Sequence, residues 1–104
     1  MEIDVEVLNV LKYEDKKNKG QMKTRVSYRL LDPSKMSNSD KFIGYSELSL
    51  YLDGTKLFDN FDKSYCGTAL KFVLEEKTYD NNPMRKYVTL KEVKSQNGKS
   101  ICVL

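Results

Sequence analysis

From Glu2 to Val7 the chain alternates charged and apolar residues, with Ile3, Val5 and Val7 set between Glu2, Asp4 and Glu6. Period two marks a strand with one buried face. The alternation breaks where Leu8, Val10 and Leu11 crowd both faces, so the spacing predicts a strand over 2–13 with a bulge or strong coiling. Residues 14–21, EDKKNKGQ, are polar and carry Asn18 and Gly20, which predicts a hairpin loop longer than a two-residue turn. Residues 22–31 alternate again. Met22, Thr24, Val26, Tyr28 and Leu30 share a core-like face, and Lys23, Arg25, Ser27, Arg29 and Leu31 share a basic one.

Asp32-Pro33-Ser34 ends that strand, and 33–41 reads as a loop. A third strand is predicted over 42–52. Phe42, Gly44, Ser46, Leu48, Leu50 and Leu52 fall on one face, and Ile43, Tyr45, Glu47, Ser49 and Tyr51 on the other; Gly44 predicts a bulge or a close backbone approach. Asp53-Gly54 is a turn signal. Residues 55–66 fit a short helix with Leu57, Phe58 and Phe61 on one side and Gly67 as its stop. A fourth strand follows over 68–78 with Leu70, Phe72 and Leu74 inward, then a loop at 79–84, a fifth strand over 85–94 and a polar loop over 95–100. The apolar tail 101–104 adds an edge strand or docks on the core. Tyr28 and all four phenylalanines, Phe42, Phe58, Phe61 and Phe72, are expected in the core, with Tyr65 in a packing role.

Three strands, a short helical link and two more strands predict an all-β, mainly antiparallel fold. The expected architecture is a small five-stranded OB-fold-like barrel with one short helix between strands three and four, as a single domain over 1–104. Another small barrel of the SH3-like kind is the alternative.

Chemistry narrows the functions. The chain has no histidine, which removes the commonest general base and metal ligand, and with it Ser-His-Asp and Cys-His catalysis. Cys66 and Cys102 alone do not make a zinc site; they are read most simply as free thiols, a disulfide being the alternative. Glu75 and Glu76 are adjacent on a strand and point to opposite faces, so they are no acid–base dyad. The expectation is a protein that is not an enzyme, with no cofactor, metal or small-molecule substrate. No apolar run reaches membrane-spanning length, and Met1-Glu2-Ile3-Asp4 lacks the basic and apolar regions of a secretory signal. A cytoplasmic location without membrane contact is therefore expected.

The net charge of +3 hides an asymmetry. Residues 1–11 hold three acids and no base, whereas 12–35 hold eight bases against three acids, a local balance of +5. Such a block is the footprint of a phosphate-binding surface. Single-strand binding needs a cationic groove for phosphates and rings on which bases stack. The candidate bases are Lys12, Lys16, Lys17, Lys19, Arg25, Arg29, Arg85 and Lys86, and the candidate rings Tyr13, Tyr45, Tyr51, Tyr79 and Tyr87. Lysines at a turn tip can serve solubility alone; Arg25 and Arg29 lie inside a strand pattern and ask for another reason.

The charged hairpin, Lys19-Gly20 followed by KTRVSYRLLD (residues 23–32), the glycine-bearing third strand, Gly67 and the closing YVTLKEV (residues 87–93) together carry a resemblance. The chain resembles the small single-stranded DNA-binding proteins of the filamentous-phage gene V type and their mobile-element relatives. The resemblance implies an OB-type barrel, a two-fold homodimer and cooperative coating of single-stranded DNA, in replication or transfer of phage or mobile-element DNA. It implies phosphate contacts from Lys16, Lys17, Lys19 and Arg25, and stacking by Tyr13, Tyr45 or Tyr51. RNA is the alternative strand. The alternative function is a small-barrel protein-interaction module, an accessory or inhibitor subunit that docks through a sheet edge.

Overall fold

The computed structural model describes residues 1–104. Its strands are β1 (Glu2–Glu14), β2 (Met22–Leu30), β3 (Met36–Asn38), β4 (Ile43–Tyr45), β5 (Leu48–Asp53), β6 (Ala69–Tyr79), β7 (Asn82–Ser95) and β8 (Ser100–Val103). One helical turn, α1 (Lys56–Asp59), and 3-10 turns at Pro33–Lys35 and Lys63–Tyr65 complete the regular structure. Every strand pairing is antiparallel. Six strands form one sheet in the order β5-β2-β1-β6-β7-β8, and β3 and β4 pair separately as a ribbon.

The break in the β1 pattern is a bulge. Val5 and Val7 stand opposite Leu30 and Tyr28, the register shifts between Val7 and Asn9, and Val10 then stands opposite Val26. Odd positions face the core before Leu8 and even positions after it, so the bulge keeps Val5, Val7 and Val10 on one side of a coiled strand. Core packing gathers Val5, Val7, Val26, Tyr28, Leu70, Phe72, Leu74, Leu90 and Val93, with the Tyr28 and Phe72 rings meeting edge-on at 5.1 Å. Leu57 of α1 is fully buried in the same cluster. Cys102 joins it from β8, so the apolar tail is an edge strand and docks on the core as well. Both cysteines are free thiols.

Several expectations need correction. The mainly antiparallel β class holds, but there are eight strands instead of five, and the sheet does not close into a barrel. No hydrogen-bonded ladder joins the edge strand β5 to β7. One reason is that β8 occupies the free side of β7 at Glu92–Lys94, and Leu104 N–H donates to the Lys91 carbonyl at 2.8 Å.

The expected third strand is two. Ile43–Tyr45 pairs with β3, Ser46 and Glu47 break the run, and β5 pairs with β2. Gly44, opposite Ser37 in the ribbon, has φ of 129°, a conformation that favours glycine. The 55–66 helix shrinks to α1 and a 3-10 turn, because Asp59, Asn60 and Asp62 bond locally instead of propagating it: Asn60 Nδ2 donates to the Lys56 carbonyl, and Asp62 accepts from Ser64 N–H. The 79–84 loop tightens to a turn at Asp80-Asn81, with residues 83–85 bulging before the ladder resumes at Thr78 opposite Lys86, so β6 and β7 run on as a long hairpin arm. Phe42 and Phe58 are exposed, not core: Phe42 lies at the turn of the β3–β4 ribbon, and on α1 it is the neighbouring Leu57 that enters the core. No helix is long and apolar enough to cross a membrane.

Candidate nucleic-acid interface

The side of β2 that faces away from the core carries Lys23, Arg25, Ser27 and Arg29, as alternation requires. Register places neighbours on either side. Tyr13, Lys23 and Asp53 form one row across β1, β2 and β5; Leu11, Arg25 and Tyr51 form the next; Asn9, Ser27 and Ser49 the third. From Lys23 to Arg29 this outer face runs about 20 Å at the usual strand rise.

Its charges differ in how far they are neutralised. Lys23 Nζ lies 3.4 Å from Asp15 and 3.6 Å from Asp53, and Asp15 is the main reason its pKa is held above the ordinary lysine value. Arg29 is tied at 3.1 Å to Glu6, and its guanidinium lies 4.5 Å from the centre of the Tyr45 ring. Arg25 has no carboxylate partner among the ion pairs of the chain. Its Nε is buried and donates to nothing. A guanidinium carries five N–H donors in a planar fork suited to phosphate, so Arg25 retains donors that the protein does not use. Beside it Leu11 is 44% exposed and Tyr51 67% exposed.

The loop at 14–21 sits at the Tyr13 end of this face. Its two acids organise its backbone. Asp15 accepts from Lys17 N–H at 3.1 Å and from Asn18 Nδ2 at 3.2 Å, and Glu14 accepts from Gly20 N–H at 3.1 Å. The Lys17 amide is the main cause of the depressed Asp15 pKa. Lys16, Lys17 and Lys19 are left exposed without ion-pair partners. The acids of the first half of β1 are used differently: Glu2 pairs with Lys94, Asp4 with Lys71 and Glu6 with Arg29. The excess of positive charge therefore falls at the loop end of the sheet.

The β6–β7 arm adds a second cluster. Tyr79 and Tyr87 lie 4.8 Å apart, and Arg85 is 5.3 Å from the Tyr79 ring centre. Lys77 stands opposite Tyr87 on the same face. A cleft of about 320 Å³ opens between β5 and this arm, lined by Tyr51 and Leu52 on one side and by Lys77, Tyr87 and Leu90 on the other. Asp53 and Glu75 also border it. Thus Arg25, Tyr51 and Tyr87 belong to one continuous surface.

The remaining candidates are placed elsewhere. Lys12 stands opposite Thr24, on the side of β1 that faces the core, with its Nζ 4.9 Å from the Phe58 ring centre. It does not join the outer face, because the bulge reversed the parity of β1 beyond Leu8. Lys86 pairs with Glu76 at 3.1 Å on the face of the arm away from Tyr87, since adjacent residues alternate. Tyr45 has one ring face covered by Arg29.

Three residues of this surface were not among the candidates: Leu11, Lys23 and Lys77. Lys23 had its signal in the alternation with Arg25. Leu11 could be placed only through the bulge, and Lys77 only through the length of the arm. The largest concavity, about 560 Å³, lies at the other end of β2 between Ile3, Leu30 and Pro33. Asp4 and Asp32 oppose a single Lys35 there, a poor match for phosphate. No group of three His, Cys, Asp or Glu residues could hold a metal ion. No protein-family model, curated protein or solved structure matches the chain.

Proposed function

We propose that the chain is a non-catalytic, sequence-tolerant single-stranded DNA-binding protein, with RNA as the alternative strand. The observation that carries this reading is Arg25, a cation without a carboxylate partner, placed between exposed Leu11 and Tyr51 in the middle of a sheet face. Phosphates would be held by Arg25 with Lys16, Lys17 and Lys19, and bases by Tyr51, Tyr13 and Tyr87. Stacking of this kind tolerates any base, and the phosphate contacts carry no sequence information.

The strand order supports an OB-like reading of the fold. β5, β2, β1, β6 and β7 are neighbours in that order, α1 lies between β5 and β6, and β5 and β7 both run in the direction of β1. An OB arrangement with its last pair left open would have this order and these directions. Action in the cytoplasm as a homodimer, in replication or transfer of phage or mobile-element DNA, belongs to the same proposal and rests on the resemblance in sequence.

A second reading, a protein-interaction module, is favoured by one observation. β5 and the outer part of β7 leave unpaired edges on the two sides of the cleft, where an extended segment could add as a strand. Titrating a labelled oligo-dT and an equal-length duplex at several salt concentrations separates the two. Tight, steeply salt-dependent binding to the single strand supports the first reading. Weak and equal binding to both nucleic acids rejects it in favour of the second.

A further inference from the structure

The bulge at Leu8 turns Val10 and Lys12 to the core-facing side of β1, away from Leu11 and Tyr13. There they meet the segment that links β5 to β6. Gly67 N–H donates to the Val7 carbonyl at 3.0 Å, which ties that segment to β1, and Phe61 meets Tyr65 edge-on at 5.4 Å. Leu57 is buried in the core, and Phe58 beside it stays at the surface. A pocket of about 260 Å³ remains between strand and segment, lined by Val10, Phe58, Phe61, Lys63 and Cys66. Its walls are apolar except for Lys63. A second ammonium stands over one wall, since Lys12 Nζ lies 4.9 Å from the Phe58 ring centre.

Both lysines are exposed, and neither has an ion-pair partner. The acids nearest to them in sequence are engaged within their own turns. Glu14 accepts from Gly20 N–H at 3.1 Å, Asp59 from the Thr55 hydroxyl at 2.8 Å and Asp62 from Ser64 N–H at 2.9 Å.

We propose that this pocket receives one apolar side chain from an acidic segment of a partner protein, whose carboxylates meet Lys12 and Lys63. The site is separate from the β5–β7 cleft and does not depend on the single-strand reading. Size selects the occupant. A cavity of roughly 150 Å³ holds a benzene ring, and whole small-molecule ligands fill about 300–1,000 Å³. The pocket therefore suits one large side chain, with the rest of its chain lying across the rim. Charge selects the neighbours, because the two cations of the rim lack carboxylate partners. A nucleic-acid base is a poorer occupant, since Val10 and the two phenylalanines offer its polar edges no hydrogen-bond partner. Leu11 and Tyr13 lie on the other side of β1, so a partner held here leaves the outer face free.

Cys66 reports on the pocket directly. It is a half-buried free thiol in the wall, and the other thiol, Cys102, is only 4% exposed. The rate of Cys66 alkylation by iodoacetamide is followed by mass spectrometry in the whole protein. The probe is a blocked pentapeptide with phenylalanine between two pairs of aspartates. One control peptide replaces the phenylalanine by serine, another replaces the aspartates by lysines, and oligo-dT is a fourth additive. The phenylalanine–aspartate peptide is expected to slow alkylation, most at low salt, whereas both control peptides and oligo-dT leave the rate unchanged. Lys12→Gln/Lys63→Gln, at two exposed positions, is expected to bind that peptide about tenfold more weakly, the loss of two exposed ion pairs.

No protection by the phenylalanine–aspartate peptide at millimolar concentration overturns the proposal and leaves the outer-face reading standing. Equal protection by the serine peptide overturns it, since no side chain then enters the pocket. Equal protection by the lysine peptide, or an unchanged affinity in Lys12→Gln/Lys63→Gln, overturns it because charge then does not select the partner. Protection by oligo-dT as strong as by the peptide assigns the pocket to nucleic acid and overturns it too.

Discussion

Arg25 and Tyr51 stand opposite one another in the β2–β5 ladder, the arginine with an Nε that donates to nothing and the tyrosine two-thirds exposed. A cation and a ring held side by side on a sheet can take a phosphate and the adjoining base of one nucleotide. The two contributions respond differently to salt. Replacing Arg25 by Gln is expected to lower the slope of log K against log salt by about one. Replacing Tyr51 by Ala is expected to weaken single-strand binding by about 1–3 kcal/mol with the slope unchanged. Titrations of both variants across salt concentration check the pair.

Arg29 looks equivalent to Arg25 in sequence and is not. It is held by Glu6 at 3.1 Å and by the Tyr45 ring, on half-buried side chains. Arg29→Ala is expected to destabilise the fold by about 1 kcal/mol, since both an ion pair and a cation–π contact are lost. Arg25→Ala is expected to stay within about 0.5 kcal/mol, because it gives up no protein partner. Urea unfolding of the two variants measures the difference, and equal stability losses would contradict the distinction.

Only 13 of 104 residues are buried, so stability leans on few side chains. Phe72 is fully buried, meets Tyr28 edge-on and pairs with Ile3 and Val93 on its two sides. Phe72→Ala is expected to cost about 3–5 kcal/mol, a large share of the roughly 5–15 kcal/mol that holds a domain together. Denaturant melts monitored by circular dichroism read this directly.

Acid should loosen the basic loop before it unfolds the core. The Asp15 carboxyl lies below its ordinary value of 3.8, chiefly because it accepts from the Lys17 amide; Asp4 is lowered chiefly by Lys71, and Asp32 by the Ser34 amide. A depressed folded-state pKa means that the unfolded chain binds the proton more readily. The stability from these groups is therefore present above about pH 4 and lost as pH falls through their lowered values. Melting temperature is expected to fall below about pH 4, and Asp15→Asn to show a shallower fall than wild type. An unchanged acid limb in Asp15→Asn would show that the loop does not depend on this carboxylate.

Much of this was legible in the sequence wherever period two was intact. The inward set of β2 and β6, the basic face of β2 and the bulge at Leu8 all follow from alternation, and the edge-strand option for the tail from its apolar run. The break at Ser46 and Glu47 was not legible, because β4 and β5 continue the same alternation on both sides of it and only pairing partners tell them apart. The arm was hidden for a related reason. Asn81-Asn82-Pro83 reads as a loop by composition, yet Asp80 and Asn81 make a tight turn and only 83–85 bulge out of the ladder beyond it. At the site, sequence could name cations and rings but not their partners. Arg25 and Arg29 differ only through Glu6 and Tyr45, which come from another strand and from the ribbon, and Lys12 left the face through the parity change in β1.

The most direct test of where a single strand lies is photocrosslinking of the wild-type protein to oligo-dT, with the modified residues located by mass spectrometry and duplex DNA as control. The account predicts crosslinks at Tyr51, with Tyr13 and Tyr87 next, and their suppression by high salt. Crosslinks confined to the face of β8 or to the Ile3–Pro33 concavity, or no excess over duplex, would contradict it.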